Sequence, residues 1–181
     1  MAKRDKNVIT LGSGKLYAAA YTDTLPTTAT LCVADNLLGN IKGGASLEYK
    51  ETTYEEKDDL GLTSKIVTTD EEAKLKCGII TWNGQVLAKL VDRAKVTEAA
   101  GIRTTKIGGG GNAQGTYYAI CFLHEDVKDG NVWVMIVGRN SAGLTLAFAK
   151  DKGTEVDPEF TAMPHDTDGT LIEFIEEIPA V

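Results

Sequence analysis

The side chains that most often carry catalysis are few in this 181-residue sequence. It contains two histidines, His124 and His165, and three widely spaced cysteines, Cys32, Cys77 and Cys121. No Gly-x-Ser-x-Gly turn presents a nucleophile, and no Cys-x-x-Cys pair indicates a zinc site. We expect His124 to lie at the surface, because it ends a strand beside two acidic residues, and Cys77 and Cys121 to be inert thiols in apolar strands. The odd number of cysteines also argues against a secreted disulfide framework.

A pair of carboxylates near the C-terminus is the best candidate for acid–base chemistry. The segment Asp166-Thr-Asp-Gly-Thr-Leu171 resembles the first motif of the haloacid-dehalogenase phosphatases, in which the first Asp is the nucleophile and the second is the acid. Those enzymes need an apolar strand before the motif and a large α/β domain with a Mg²⁺ site after it. Here Pro164 precedes the motif, and ten residues follow Leu171. We therefore favour an Asp-rich turn between two strands, and a phosphatase that uses Asp166 and Asp168 is an alternative.

A glycine-rich segment could in principle hold a cofactor. Gly108–Gly111, followed by Asn112 and Ala113, satisfies the dinucleotide-binding pattern G-x-G-x-x-A. That pattern must open a helix whose N-terminus binds the pyrophosphate, whereas strand-forming residues follow here. A flexible loop is predicted, and no cofactor or metal ion is expected.

Composition bounds the class of protein. Hydrophobic residues make up 43% and charged residues 25% of a 19.4 kDa chain, which is typical of one globular domain over residues 1–181. The net charge of −7 disfavours a broad nucleic-acid-binding face. Because the longest apolar run is Val132–Val137 and no apolar signal segment follows the N-terminus, we expect neither a secretory signal nor membrane insertion of this chain.

The elements that could position these residues are mainly strands. Ser46–Lys57 and Ser64–Trp82 are rich in strand-forming residues and flank a turn signal at Asp58–Gly61, which predicts one long hairpin over about 46–82. The base of its second strand alternates apolar and charged residues, as a half-buried strand does. Its distal half is polar on both faces, so a domain core cannot use it. We expect this arm to project from the domain and to be stabilised by another chain, because an isolated two-stranded ribbon is marginal in water.

The other predicted elements suggest a β domain with one helix. Asn83 is a good N-cap for a helix over about 83–95, and residues 98–103 are predicted to be a connector. Short strands are predicted at Val8–Leu11 and Lys15–Tyr21. Tyr117–Leu123 and Val132–Val137 are apolar on both faces around an Asp129-Gly130 turn, and a second sheet or a neighbouring subunit must cover them. The expected fold is an antiparallel β-sandwich or barrel-like domain with one flanking helix and a long hairpin arm.

Two long stretches of this sequence resemble a known family. Gly44–Leu90 is similar to the long hairpin and following helix of bacteriophage major tail tube proteins. Thr104–Gly109 and Val132–Ile178 are similar to the C-terminal half of the same proteins, most clearly in Phe160-x-Ala-x-Pro164 and the later Asp-Gly-Thr-Leu-Ile. The resemblance covers most of the chain beyond about residue 40.

The resemblance implies a structural role rather than an enzymatic one. In that family six copies form a ring with a shared inner β-barrel, and the rings stack into a hollow tail tube through which DNA passes without specific binding. The implied partners are copies of this chain and other tail proteins, such as the tape-measure and tail-terminator proteins, and the implied location is the virion tail, assembled in the host cytoplasm. The acidic composition suits a lumen that repels phosphate, although it equally suits simple solubility. The arm residues predicted to lie at subunit interfaces are Tyr49, Thr53, Tyr54, Glu55, Glu56, Asp58, Asp59, Leu60, Ile66 and Val67.

A different class of function also fits the arm. A cytoplasmic binding module could use it to add a strand to a partner protein. Microscopy of the purified protein separates the hypotheses, because tubes, compact particles and compact particles with Mg²⁺-dependent turnover are distinct outcomes.

Overall fold

A computed structural model describes residues 10 and 12–178 of the chain. Strands hold 48% of the described residues and helices 10%, so the fold is mainly β, as expected. The predicted strand Val8–Leu11 lies outside the described residues except for Thr10. The elements in chain order are β1 Lys15–Ala20, α1 Thr28–Leu31, β2 Leu37–Lys57, β3 Ser64–Ile79, α2 Gly84–Leu90, β4 Ala94–Ala99, β5 Ile102–Ile107, β6 Tyr118–His124, β7 Val132–Asn140, β8 Glu159–Ala162 and β9 Ile172–Glu176.

Six of the strands close into a ring. Antiparallel pairing runs in the order β6-β1-β2-β3-β8-β7, and β7 pairs with β6 to complete the circle. The other edge of β7 is shared, because β8 pairs with its end at Gly138–Asn140 and β9 pairs with its beginning at Val132–Ile136. This closed antiparallel arrangement confirms the predicted barrel-like class, and it leaves the ring strands few free edges.

The main core lies inside this ring. Leu16, Leu75, Ile120, Ile136 and Phe160 are all at most 2% exposed and form one cluster. The apolar side of α2 packs against the same cluster through Val86, Leu87 and Leu90. The predicted helix therefore covers part of the barrel interior, as the amphipathic pattern suggested.

The outer face of β6 and β7 is covered by the same chain, not by a second sheet or a neighbouring subunit. Cys121 and Met135 point away from the main core and form a second cluster with Leu31 of α1. Leu25 and Leu37 pack against that cluster from the segment that carries α1. The expectation that these doubly apolar strands need a sheet or subunit partner was wrong, because a segment with one short helix supplies the cover.

The helix after the arm is shorter than predicted. Asn83 caps it as expected, since its side chain accepts hydrogen bonds from Gln85 N and Val86 N. The helix nevertheless ends at Leu90. Asp92 binds the Gly115 N–H, which draws the chain into a turn, and Ala94 is then buried in β4 instead of on the helix.

The predicted connector at residues 98–103 is part of a second hairpin. Strands β4 and β5 pair from Ala94↔Ile107 to Ala99↔Ile102 around Ala100 and Gly101, which both have positive φ. Thr105 Oγ1 donates to the carbonyl of Gly84, so one face of this hairpin rests on α2. The opposite face is exposed.

Candidate functional site

The arm is the most prominent feature of the structure. Strand β3 pairs with β8 only through Lys74–Lys76, and beyond Ala73 the described ladder consists of β2 and β3 alone. From Tyr49 to Lys57 the ribbon extends roughly 25–30 Å at the usual rise per residue of a strand. Every residue from 46 to 72 is exposed. The arm therefore projects from the barrel, as the polar pattern predicted.

All ten residues predicted to lie at subunit interfaces are on this projecting part. The large apolar and aromatic side chains among them are open to solvent, with exposed fractions of 49% for Tyr49, 54% for Tyr54, 79% for Leu60, 62% for Ile66 and 41% for Val67. Tyr54 faces Val67 and Glu55 faces Ile66 across the hairpin. The structure brings the ten residues together on one element, and their role at an interface stays a prediction.

The tip of the arm is a defined turn. Gly61, with φ of 68°, donates its N–H to the carbonyl of Asp58 over 2.9 Å. The Asp58 side chain accepts from Thr63 N at 2.8 Å. The turn signal at Asp58–Gly61 is thus confirmed, and it directs Leu60 and Leu62 into solvent at 79% and 80% exposure.

Charge divides the two faces of the arm. On the face that continues from Leu75, Glu51 lies directly opposite Glu71, and the Tyr49 hydroxyl donates to Glu51 Oε1 over 2.9 Å. These hydrogen-bonded carboxylates raise the pKa of Tyr49 to about 12. On the other face acidic and basic residues pair, as with Lys50 opposite Glu72. One face of the arm is therefore anionic and the other is balanced.

The base of the arm is fixed by a charged residue that sequence reasoning missed. Glu159 of β8 lies 3.1 Å from Lys76 Nζ and 3.6 Å from Lys74 Nζ. The hydrogen bond from Lys76 and the nearby charge of Lys74 lower the pKa of Glu159. No local pattern signals this contact, because β3 and β8 are far apart in sequence.

A glycine bulge lies in β2 before the arm begins. The register of β2 against β3 shifts between Lys42 and Ala45, and the two intervening residues, Gly43 and Gly44, have φ of 79° and 85°. Only glycine adopts this backbone conformation at little cost. The Gly-Gly pair in the sequence is a usable signal for such a bulge.

The paired carboxylates near the C-terminus form a turn. Asp166 Oδ1 accepts from Asp168 N at 3.0 Å and from Thr170 N at 2.8 Å, and Gly169 has positive φ. Hydrogen bonds from the side chain and backbone of Thr170 lower the pKa of Asp166. Asp166 thus orders the loop between β8 and β9, as the turn interpretation predicted.

The two histidine side chains are both buried. His124 is 4% exposed, and its Nδ1 donates to the carbonyl of Ser13 over 2.9 Å. The prediction of a surface residue was wrong, because the segment before β1 folds over the end of β6. The His165 side chain is 2% exposed and lies 3.5 Å from Glu173.

The three cysteines are free thiols in two different places. Burial raises the pKa of Cys77 to about 12, as expected of an inert core thiol. Cys121 is also buried, but its Sγ lies 3.5 Å from Sγ of the half-buried Cys32. The sequence spacing gave no sign of this pair.

Within residues 10 and 12–178, no three His, Cys, Asp or Glu side chains are grouped so that they could hold a metal ion. None of the helices in that part of the chain combines the length and the apolar character needed to span a membrane. In comparisons with known proteins, no family model and no curated protein matches the chain.

Proposed function

We propose that this chain is a structural subunit that assembles into hexameric rings, which stack as the hollow tail tube of a phage or a tail-like particle. In that role it forms the conduit for genome delivery. Its partners are copies of itself and other tail proteins, such as the tape-measure and tail-terminator proteins. It is assembled in the host cytoplasm and resides in the virion tail.

The exposed arm carries this proposal. A ribbon of two strands that buries almost nothing is marginal by itself, yet it is the longest element of the fold. Along residues 46–57 the described outer edge of β2 has no strand beside it, so its backbone groups are available to another chain. A partner strand or surface would stabilise the arm at little cost to the closed barrel.

The charge of the chain agrees with a conduit. A surface with a net charge of −7 repels DNA phosphates, so DNA would pass without adhering. Simple solubility accounts for the same charge, so this observation supports the proposal less than the arm does.

Electron microscopy of the purified protein over a range of concentrations tests the proposal. Rings or tubes with a central channel are expected at high concentration. Sedimentation that shows a folded monomer at every concentration and salt tested would overturn it.

A binding module that uses the arm for strand addition is the second candidate, and it is favoured by the same unpaired strand edge. It predicts a monomer that binds an extended peptide through β2 or β3. Hydrogen exchange separates the two functions: self-assembly protects arm amides as protein concentration rises, whereas a binding module shows protection only when a peptide is added.

A further inference from the structure

Each of the two projecting hairpins carries a cross-strand pair of like charges, and the pair is acidic on one hairpin and basic on the other. On the arm Glu51 faces Glu71, and on the β4–β5 hairpin Lys95 faces Lys106. All four residues are exposed. None of them forms an ion pair within residues 10 and 12–178. Like charges that face each other directly destabilise an antiparallel pair, so each hairpin retains a repulsion that a surface of opposite charge would relieve.

The rows next to these pairs also correspond. The Lys95–Lys106 pair lies on the face of the β4–β5 hairpin that points away from α2, since Thr105 on the other face contacts Gly84. On the compared face of each hairpin, the next cross-strand pair from the charged pair toward the tip is Thr–Thr. The pair after it contains an exposed isoleucine. These rows are Thr53–Thr68 and Glu55–Ile66 on the arm, and Thr97–Thr104 and Ala99–Ile102 on the second hairpin. On the arm a bulge at Thr69 separates the charged pair from the Thr–Thr row, whereas the second hairpin pairs without interruption.

We propose that the arm face bearing Glu51 and Glu71 binds the outer face of the β4–β5 hairpin of a second copy of this chain. The proposal rests on the self-assembly proposed above and names the surface that receives the arm. Packed face to face at the usual sheet separation of about 10 Å, the lysine pair meets the glutamate pair, and the isoleucines Ile66 and Ile102 meet near the tips. Because the two surfaces differ, the contact is head-to-tail and can propagate from copy to copy.

Charge reversal on each surface tests this contact. Glu51→Lys with Glu71→Lys, or Lys95→Glu with Lys106→Glu, places like charges across the interface, which should lower the assembled fraction about ten-fold or more. The quadruple variant restores opposite charges and should assemble as the wild type does. A mixture of the two double variants should also assemble, because each arm then has a complementary hairpin on the other variant.

The design includes its own controls. Each double variant replaces one like-charge pair by another, so the melting temperature of the monomer should change by no more than about 2 °C. Lys150→Glu with Lys152→Glu makes the same charge change as Lys95→Glu with Lys106→Glu, but at exposed positions outside both hairpins, and should leave assembly unchanged. If the double variants assemble normally, or the quadruple variant is as impaired as its parents, the proposed contact is wrong while wild-type tubes still support the function. If the wild type never assembles, both proposals fail.

A different observation concerns the pair of thiols. Cys32 lies at the end of α1 and Cys121 on β6, with their Sγ atoms 3.5 Å apart. The hydrogen bond between the two sulfur atoms lowers the pKa of Cys32, and the same contact together with burial raises the pKa of Cys121. Cys32 is also the more accessible of the two. Accessibility and thiolate character are the properties of an attacking thiol.

We infer that Cys32 and Cys121 are a site of reversible disulfide formation with a low-molecular-weight disulfide, such as oxidised glutathione, as the oxidant. The Cys32 thiolate attacks one sulfur of glutathione disulfide and expels one glutathione thiolate. The Cys121 thiolate then attacks Sγ of Cys32, the Sγ–Sγ bond forms, and the second glutathione leaves. The protein gives up two electrons, glutathione disulfide is reduced to two thiols, and the two cysteine protons end on the departing glutathiones. The bond would fasten α1, the cover of the outer cluster, to the barrel.

Peptide mapping after incubation with oxidised glutathione tests this site. The expected product is a single cross-link between Cys32 and Cys121, with Cys77 still reduced, and reduction by dithiothreitol reverses it. The Cys77→Ser variant should form the same cross-link, whereas Cys121→Ser should stop at a glutathione adduct on Cys32. Oxidation should raise the melting temperature of the wild type by several degrees. Wild-type protein that keeps both thiols open to alkylation, or that links either of them to Cys77, would overturn the inference, and neither result depends on a variant that folds.

Discussion

Removal of the outer arm separates its contribution to the fold from its contribution to assembly. We would replace residues 55–66 by Asn-Gly, because Tyr54 faces Val67 and a two-residue turn needs flanking residues that pair directly. The shortened hairpin keeps every contact between the arm and the barrel. We expect the monomer to stay folded and tube formation to be lost or strongly weakened.

The expected cost to the monomer follows from exposure. The apolar side chains removed are Leu60, Leu62 and Ile66, with exposed fractions of 79%, 80% and 62%. Their buried fractions add up to less than one fully buried side chain, so their removal should lower the free energy of unfolding by about 1–2 kcal/mol. At roughly 2–4 °C per kcal/mol for a chain of this size, the melting temperature should fall by no more than about 8 °C.

Thermal unfolding at low concentration and electron microscopy at high concentration measure the two effects. Leu75→Ala, in the same strand, is the control for the thermal assay, because that side chain is 1% exposed and its truncation should cost about 2–5 kcal/mol. A truncated protein that unfolds would show that the arm belongs to the core. Unimpaired tubes would show that the outer arm is dispensable, and either result refutes the reasoning.

Three further substitutions test parts of the structure that hold its loops and strands. Asp166→Asn should lower the melting temperature at pH 7. Because the pKa of Asp166 is lowered in the folded protein, its stabilisation is present above the unfolded pKa of about 3.9 and is lost as pH falls through the folded pKa. In a pH series of thermal melts, the difference in melting temperature between the variant and the wild type should therefore vanish in acid. The variant should lose no Mg²⁺-dependent phosphatase activity, since we expect the wild type to have none. Gly138→Ala should destabilise the pairing of β7 with β8 by about 1–3 kcal/mol in urea unfolding, because the new Cβ would overlap the backbone of Thr161, whereas Gly110→Ala, which has no neighbour within 4 Å, should not. Asn83→Ala should cost about 1 kcal/mol in the same assay through loss of the α2 cap, and an unchanged midpoint would contradict the capping geometry.

Local sequence patterns were sufficient to predict the projecting arm and the first residue of helix α2. The polar distal strands of the arm exclude a core position whatever the rest of the fold is, and the Asn83 cap acts within its own turn. The end of the helix could not be found this way. The apolar spacing continues through Val91 and Ala94, and the chain leaves helical geometry where distant residues bind it, as when Gly115 N and Gln114 N donate to the side chain and the carbonyl of Asp92.

Contacts between distant segments account for the other errors. The cover over β6 and β7 depends on a four-residue helix that has no periodic signal, with Leu31 as its one buried residue. The burial of His124 depends on the carbonyl of Ser13, which is 111 positions away. The approach of Cys32 to Cys121 is equally non-local. Pattern reasoning identified the candidate arm, but not the second hairpin that could receive it.

The polar side chains of the arm also limit non-specific pairing of its exposed strand edges with other chains. Open strand edges join other strands readily, and an apolar arm of this length would aggregate before any ordered assembly. Glu51 and Glu71 oppose contact between the same faces of two arms, while they favour a cationic surface such as the one that carries Lys95 and Lys106. Charge of this kind selects the partner and speeds the encounter more than it adds affinity. The affinity of this face-to-face contact must then come from the few exposed apolar side chains near the tip, so the same arm can remain soluble alone and bind once the correct surface is presented.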